Sequence, residues 1–221
     1  MASDLKKEWY RYLIEVLVVI LGIMGAFTLE SWRDAQKEER LKQELYGDFI
    51  QELQKDLVEI EGNAAFNNSF LKMYRRASEI IQSDPQMMKA DSVGILTIGL
   101  MDFSDFKKSG SAYEALSNSG KLDLIDNKTI LYQLQEISML YIYINRLESN
   151  QETLMFEVVP QVFEYISIAP FDVKKPKSLY TYQFNNIFQV FIRLREEKNG
   201  LYEDAVEQLN MLIVAMKNEL D

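Results

Sequence analysis

The chain has 221 residues, neither Cys nor His, and a formal charge of −10. Those gaps remove disulfides, thiolate catalysis, Cys-based zinc sites, the commonest general base and the commonest transition-metal ligand. The acid excess repels phosphate backbones, so no nucleic-acid partner is expected.

Apolar residues make up 48% of the chain and charged residues 26%, which supports a packed core and argues against disorder. Nine Gly and four Pro are too few turn-formers for a chain of many short strands. Long runs rich in Glu, Leu, Lys, Gln and Met favour an all-α fold.

The first element is expected to cross a membrane. From Tyr12 to Leu29 the chain reads YLIEVLVVILGIMGAFTL, with Glu15 as its one charge. At 1.5 Å per residue this spans roughly 27 Å, close to the hydrocarbon thickness of a bilayer. Trp9, Tyr10 and Tyr12 flank one end and Trp32 the other, as aromatic residues do at the two membrane interfaces. Insertion of Val16–Leu29 is worth roughly −5 kcal/mol, at about −0.4 kcal/mol per apolar residue. A cleavable signal peptide fits less well, because Met24 and Ile23 occupy the −3 positions of the two nearest cleavage sites. A soluble core helix fits less well because every face of 16–29 is apolar. Glu15, Gly22, Ala26 and Glu30 fall on one side of this helix. Gly22 and Ala26 form a small-xxx-small pair that lets two helices approach closely, and an intramembrane Glu usually faces protein or water. These four residues are the candidate helix-association face. The bland alternative is that Glu15 snorkels and the small residues are incidental.

Basic residues flank both ends, with Lys6, Lys7 and Arg11 before the span and Arg33, Lys37, Arg40 and Lys42 after it. The count does not decide orientation. The default for a short N-terminal tail places it in the cytoplasm and the acidic remainder outside, in the periplasm of a bacterial inner membrane. Three regions follow: 1–32 as tail and anchor, 33–83 as stalk, and 84–221 as a helical bundle packing on the stalk.

Leu41, Leu45, Phe49, Leu53, Leu57 and Ile60 recur every three or four residues, extending the membrane helix as an amphipathic stalk. Gly62-Asn63 is a candidate bend, after which Phe66, Phe70, Met73, Ala77 and Ile80 continue the pattern to Asp84-Pro85. About five further helices are expected. A short one covers Ser92–Leu100, and a polar loop follows through Lys107–Gly110. Ser111 and Glu114 have capping-box spacing, and Gly120 suits a C′ position. Asp126-Asn127 opens a long helix running towards Ile166, with Pro160 expected to kink or break it. Ala169–Ser178 reads as a loop, and Asn199-Gly200 as the turn between two terminal helices.

Two stretches carry a family resemblance: EVLVVILGIMGAFTLESWRDAQKEE at the anchor and SAYEALSNSGKLDLIDNKTILYQLQEI in the second half. The chain resembles a group of small bacterial single-pass membrane proteins whose shared domain has no assigned function. The likeness covers about a quarter of the chain. It implies the layout and a bacterial envelope location, and no activity.

Chemistry leaves few marks. There is no Gly-rich phosphate loop and no GxSxG elbow, and HExxH is impossible without His. No cofactor or metal is expected. The carboxylate pairs Glu38-Glu39, Glu59/Glu61 and Glu196-Glu197 read as solvated helical faces, and Tyr132, Tyr141 and Tyr143 as core and interface packing. The segment Ser109–Asn127, with Ser111, Tyr113, Ser119, Gly120 and Asn127, is the candidate for contact with a partner or ligand. Capping and turn chemistry is its simpler reading. The expected function is non-catalytic: an oligomerising or accessory subunit of an envelope complex, meeting the bilayer and another copy or another membrane protein. The alternative is an extracytoplasmic sensor or ligand-binding module that signals through the stalk.

Overall fold

A computed structural model describes the backbone of residues 2–110, 112–120 and 122–220, and side chains from Glu15 onward except at Ala112. The chain is all-α with one small hairpin. Its elements are α1 (Ala2–Ser83), α2 (Ala90–Ile98), α3 (Ala112–Asn118), α4 (Lys128–Tyr165), β1 (Ile166–Ile168), β2 (Phe171–Val173), α5 (Pro176–Leu179) and α6 (Tyr182–Asn218). Short 3₁₀ turns cover Gly99–Met101 and Leu122–Leu124. The chain divides into two compact units, Met1–Gly47 and Asp48–Asp221.

The first unit is helix from Ala2 onward. Val16–Leu29 expose about half to two-thirds of each large apolar side chain, from 50% at Leu17 to 65% at Phe27. One helix near the N-terminus is thus long and apolar enough to cross a membrane, with none of its most apolar window buried. The side chains of Trp9, Tyr10 and Tyr12 lie outside the described residues.

In the second unit three helices bury stripes at alternating spacings of three and four. On α6 the stripe is Phe188, Phe191, Arg195, Lys198, Tyr202, Ala205 and Leu209. On α4 it is Ile137, Tyr141, Ile144, Glu148, Gln151, Met155, Val158 and Val162. On α1, Phe49, Leu53, Asp56 and Ile60 do the same, and Asn67, Leu71 and Tyr74 resume the pattern seven residues on. Side chains three and four apart share a helix face, so each stripe can meet its neighbours along its whole length. Tyr74 closes on Phe188 and Phe191 with ring centroids 6.1 and 5.8 Å away.

Several expected boundaries hold. Asn127 caps α4, its Oδ1 accepting from Thr129 N at 2.9 Å and Ile130 N at 3.3 Å. Gly120 adopts φ +69°, the left-handed conformation that a glycine takes without cost. Other boundaries are corrected. Gly62-Asn63 lies within unbroken α1. Asn199-Gly200 lies within α6, so the two expected terminal helices are one. Pro160 does not break α4, which reaches Tyr165, beside the expected end at Ile166. Part of the expected loop 169–178 is strand, with Ile166, Ser167 and Ile168 pairing antiparallel to Val173, Asp172 and Phe171. This hairpin closes over α2, where a Cβ on Gly94 would lie 2.7 Å from Val173 Cγ2.

Candidate functional site

The sequence singles out two places. On α1, Glu15, Gly22, Ala26 and Glu30 are all exposed, and a Cβ on Gly22 would meet nothing within 4 Å. Around the second place, Ser111 lies outside the described residues. Ser119 Oγ donates to Leu116 O at 2.9 Å, and Gly120 N to Ser117 O at 3.2 Å. Asn127 adds a hydrogen bond from Nδ2 to Glu219 Oε1 at 2.6 Å. Ser119, Gly120 and Asn127 are therefore occupied by turn and cap chemistry. Glu114 pairs with Lys108. Tyr113 lines a cavity of about 40 Å³ together with Phe49, Leu53, Asp56, Leu134 and Tyr141. That space suits water and falls well short of the few hundred Å³ of an organic-ligand pocket.

A third place was not singled out. The core of the second unit holds a polar layer in which Asp56, Asn67, Ser104, Glu148, Gln151, Arg195 and Lys198 are all buried. Arg195 donates from Nη1 to Asn67 Oδ1 at 2.9 Å, and from Nη2 to Tyr74 Oη at 3.0 Å and Asp102 O at 2.7 Å. Its guanidinium carbon lies 4.9 Å from the Phe70 ring centre and 5.0 Å from that of Tyr74. Neutral oxygens and aromatic faces thus stand where a carboxylate would be expected around a buried cation. Its Nε has no hydrogen-bond partner.

One turn further on, Lys198 Nζ donates to Ser104 Oγ at 2.5 Å and Gln151 Oε1 at 2.8 Å. Burial pushes the ammonium down to about 8; Glu148 pulls the other way and Arg195 adds to the fall. Tyr202 donates to Glu148 Oε1 at 2.5 Å and lies 2.9 Å from Ser104 Oγ. Burial, then the charge and hydrogen bond of Glu148, drive its phenol far above the ordinary tyrosine value.

A serine beside a lysine of lowered pKa is a pairing used to activate nucleophiles. The proton positions here argue otherwise. Tyr202 gives its hydrogen to Glu148, which as a carboxylate only accepts, so Ser104 must donate to Tyr202 while accepting from Lys198. Ser104 is fully committed and 4% exposed. The arrangement is a satisfied network.

That network also holds the segment 102–110. Phe106 N donates to Glu148 Oε2 at 2.8 Å, Lys107 N to Glu59 Oε1 at 2.9 Å, and Ser109 N to Asp56 Oδ1 at 2.5 Å. Tyr141 donates to Asp56 Oδ2 at 2.9 Å, and burial followed by the Asp56 charge raises its phenol strongly. Among the described residues no group of three or more acidic side chains could hold a metal ion. Of the carboxylate pairs expected to be solvated, Glu59 serves the segment and Glu196 pairs with Arg75 at 2.5 Å.

One signal for the polar layer is present in the sequence. Arg195, Lys198, Glu148 and Gln151 continue the three-four spacing of the apolar stripes, and periodicity in apolar residues alone passes over them. The chain matches no known family model, no curated protein and no solved structure.

Proposed function

We propose that this chain is a non-catalytic, single-pass protein of the bacterial inner membrane that oligomerises or serves as an accessory subunit of an envelope complex, its second unit on the periplasmic side. The observation that carries the reading is the anchor face. Glu15, Gly22, Ala26 and Glu30 share one side of an exposed apolar helix, and close approach of a second helix is open at Gly22. The committed state of Ser104 and Lys198, described above, supports a role without catalysis. The family resemblance of the anchor and of residues 111–137 supports the envelope location.

Cross-linking of the full chain in native membranes tests it, and a strictly monomeric protein with no co-purifying partner overturns it. Gly22→Leu should weaken association through the anchor while leaving insertion intact; an unchanged oligomer removes the anchor face from the account. A topology reporter fused at Asp221 should report the periplasm.

A further inference from the structure

Two helices of the second unit turn an outward face to solvent, each opposite the stripe it buries. On α4 that face carries Tyr132, Met139, Arg146, Thr153, Phe156 and Glu157. On α6 it carries Val190, Arg193, Gly200, Asp204, Met211 and Val214. Met139 and Phe156 are 53% and 63% exposed, and Met211 and Val214 49% and 57%. Scattered exposed apolar residues are ordinary, but these two faces match in spacing and in chemistry. Seven residues separate Met139 from Arg146, and eleven separate Arg146 from Glu157. Read backwards along α6, seven separate Met211 from Asp204, and eleven separate Asp204 from Arg193. Steps of seven and eleven return to nearly the same side of a helix, so each trio forms one line. Apolar, basic and acidic on α4 thus answer apolar, acidic and basic on α6.

The register that joins the two lines already exists inside the chain. Glu148 lies beside Tyr202 and Gln151 beside Lys198, so α4 and α6 run antiparallel. Asn67 beside Arg195 and Ser78 beside Asn185 set α1 antiparallel to α6 as well, and therefore parallel to α4. Each chain enters its second unit through α1, unbroken from the apolar span. In two copies anchored in one membrane α4 therefore runs the same way, and a rotation about the membrane normal keeps them at one height. The α4 of one copy and the α6 of the next then meet antiparallel in the register found within the chain. Met139 comes opposite Met211, Arg146 opposite Asp204, and Glu157 opposite Arg193. Phe156 offers that arginine a ring face. Gly200, where a Cβ would meet nothing within 4 Å in its own chain, comes opposite Asn150 and lets the two helices approach. Glu197 comes opposite Thr153 and finds no cation there. Among the described residues Arg146, Glu157, Arg193 and Asp204 form no ion pair within the chain, so docking breaks none. Pairing α4 with α4 of an upright copy would instead set Arg146 against Arg146, a like-charge contact that disfavours it. The acids on both faces set them against the anionic surface of a membrane.

We propose that the outward face of α4 docks on the outward face of α6 of a second, upright copy of the chain. The proposal rests on the anchored, self-associating reading above but uses surfaces of the second unit, not the anchor face. The contact is head-to-tail. Each copy offers α4 to one neighbour and α6 to another, so the assembly grows past a dimer.

The absence of native cysteine makes the test direct. Met139→Cys, Met211→Cys and the double variant of the full chain are oxidised in native membranes, and total association is followed separately with an amine-reactive cross-linker. The double variant should give a ladder of disulfide-linked dimers, trimers and larger species. The two single variants co-expressed should give dimers, and each alone should stay a single chain. Adding Arg146→Glu to the double variant should lower the disulfide yield on the order of tenfold, because it turns an attraction in the seam into a repulsion. Adding Asp204→Arg as well should restore the yield, which separates the seam from a folding defect. A single variant that cross-links to itself as well as the double variant does, or a ladder that stops at the dimer, overturns the proposal. So does a yield indifferent to Arg146→Glu, or one that Asp204→Arg fails to restore. A chain that the amine cross-linker joins without any 139–211 bond removes these surfaces alone. A chain that stays monomeric under both treatments removes the self-association reading as well.

Discussion

Arg195 occupies a place that helical spacing reserves for an apolar side chain. It lies seven residues from Phe188 and from Tyr202, and is fully buried between them. What makes the position tolerable is the donor count: a guanidinium offers five N–H groups, and Asn67, Tyr74 and the Asp102 carbonyl accept from three. Aromatic faces take part of the charge. Truncation leaves those acceptors facing a void. Arg195→Ala should therefore cost about 3–5 kcal/mol, whereas Arg193→Ala, exposed two residues earlier, should stay within about 0.5 kcal/mol. Urea midpoints of the two variants in the same detergent check the contrast, and equal shifts would refute it.

At the level of elements, sequence and structure part company where local signals meet long stripes. Asp84-Pro85, Gly120 and Asn127 end or begin helices as their chemistry dictates, because nothing beyond them competes. Gly200 is different. It costs an α-helix about 1 kcal/mol relative to alanine, yet Lys198 and Tyr202 on either side are both fully buried. Breaking α6 there would expose both turns. Asn63 and Gly62 yield to the same logic, lying between Ile60 and Asn67, both 0% exposed. Pro160 is itself on the solvent side of α4, so the hydrogen bond it forgoes is lost where water can replace it. The hairpin leaves no periodic mark in the sequence because each strand has three residues, too few for an alternating pattern to form. Its packing makes a prediction at Gly94, where an added methyl meets Val173 at 2.7 Å and Phe171 at 3.1 Å. Gly94→Ala should destabilise the fold by about 1–3 kcal/mol, read as a shift in urea midpoint. Of the candidate sites, the face of Glu15, Gly22, Ala26 and Glu30 belongs to a single helix and is read from spacing alone. The polar layer was hidden because its members look like surface residues until three helices are assembled around them.

Over the second unit as a whole, the buried groups fix how stability responds to alkali. Lys198 holds its proton less tightly folded than unfolded, at about 8 against roughly 10.4 for a free lysine. The unfolded chain therefore binds more protons between those values, and stability rises with pH across that window. Tyr74, Tyr141 and Tyr202 are shifted upward mainly by burial. Tyr180, pushed up to about 12 by desolvation and then by Asp84, behaves alike. These phenols keep their protons when the unfolded chain releases them, so stability falls above roughly 10. Lys107, raised by its hydrogen bond to Asp105, adds to that fall. Urea midpoints from pH 7 to 11 should climb beyond pH 8, peak at about 10 and then drop. Lys198→Met should flatten the climb and leave the drop; a climb that persists would place its origin elsewhere.

The segment 102–110 is gripped in an unusual way, with carboxylates of α1 and α4 closing on the backbone amides of Phe106, Lys107 and Ser109. A main-chain N–H is the same whatever residue carries it, proline excepted. Evolution can therefore rewrite the outward side chains at 105, 107 and 108 freely without loosening the grip. It cannot insert or delete a residue, because one step would carry every amide past its acceptor. What is inherited there is a length.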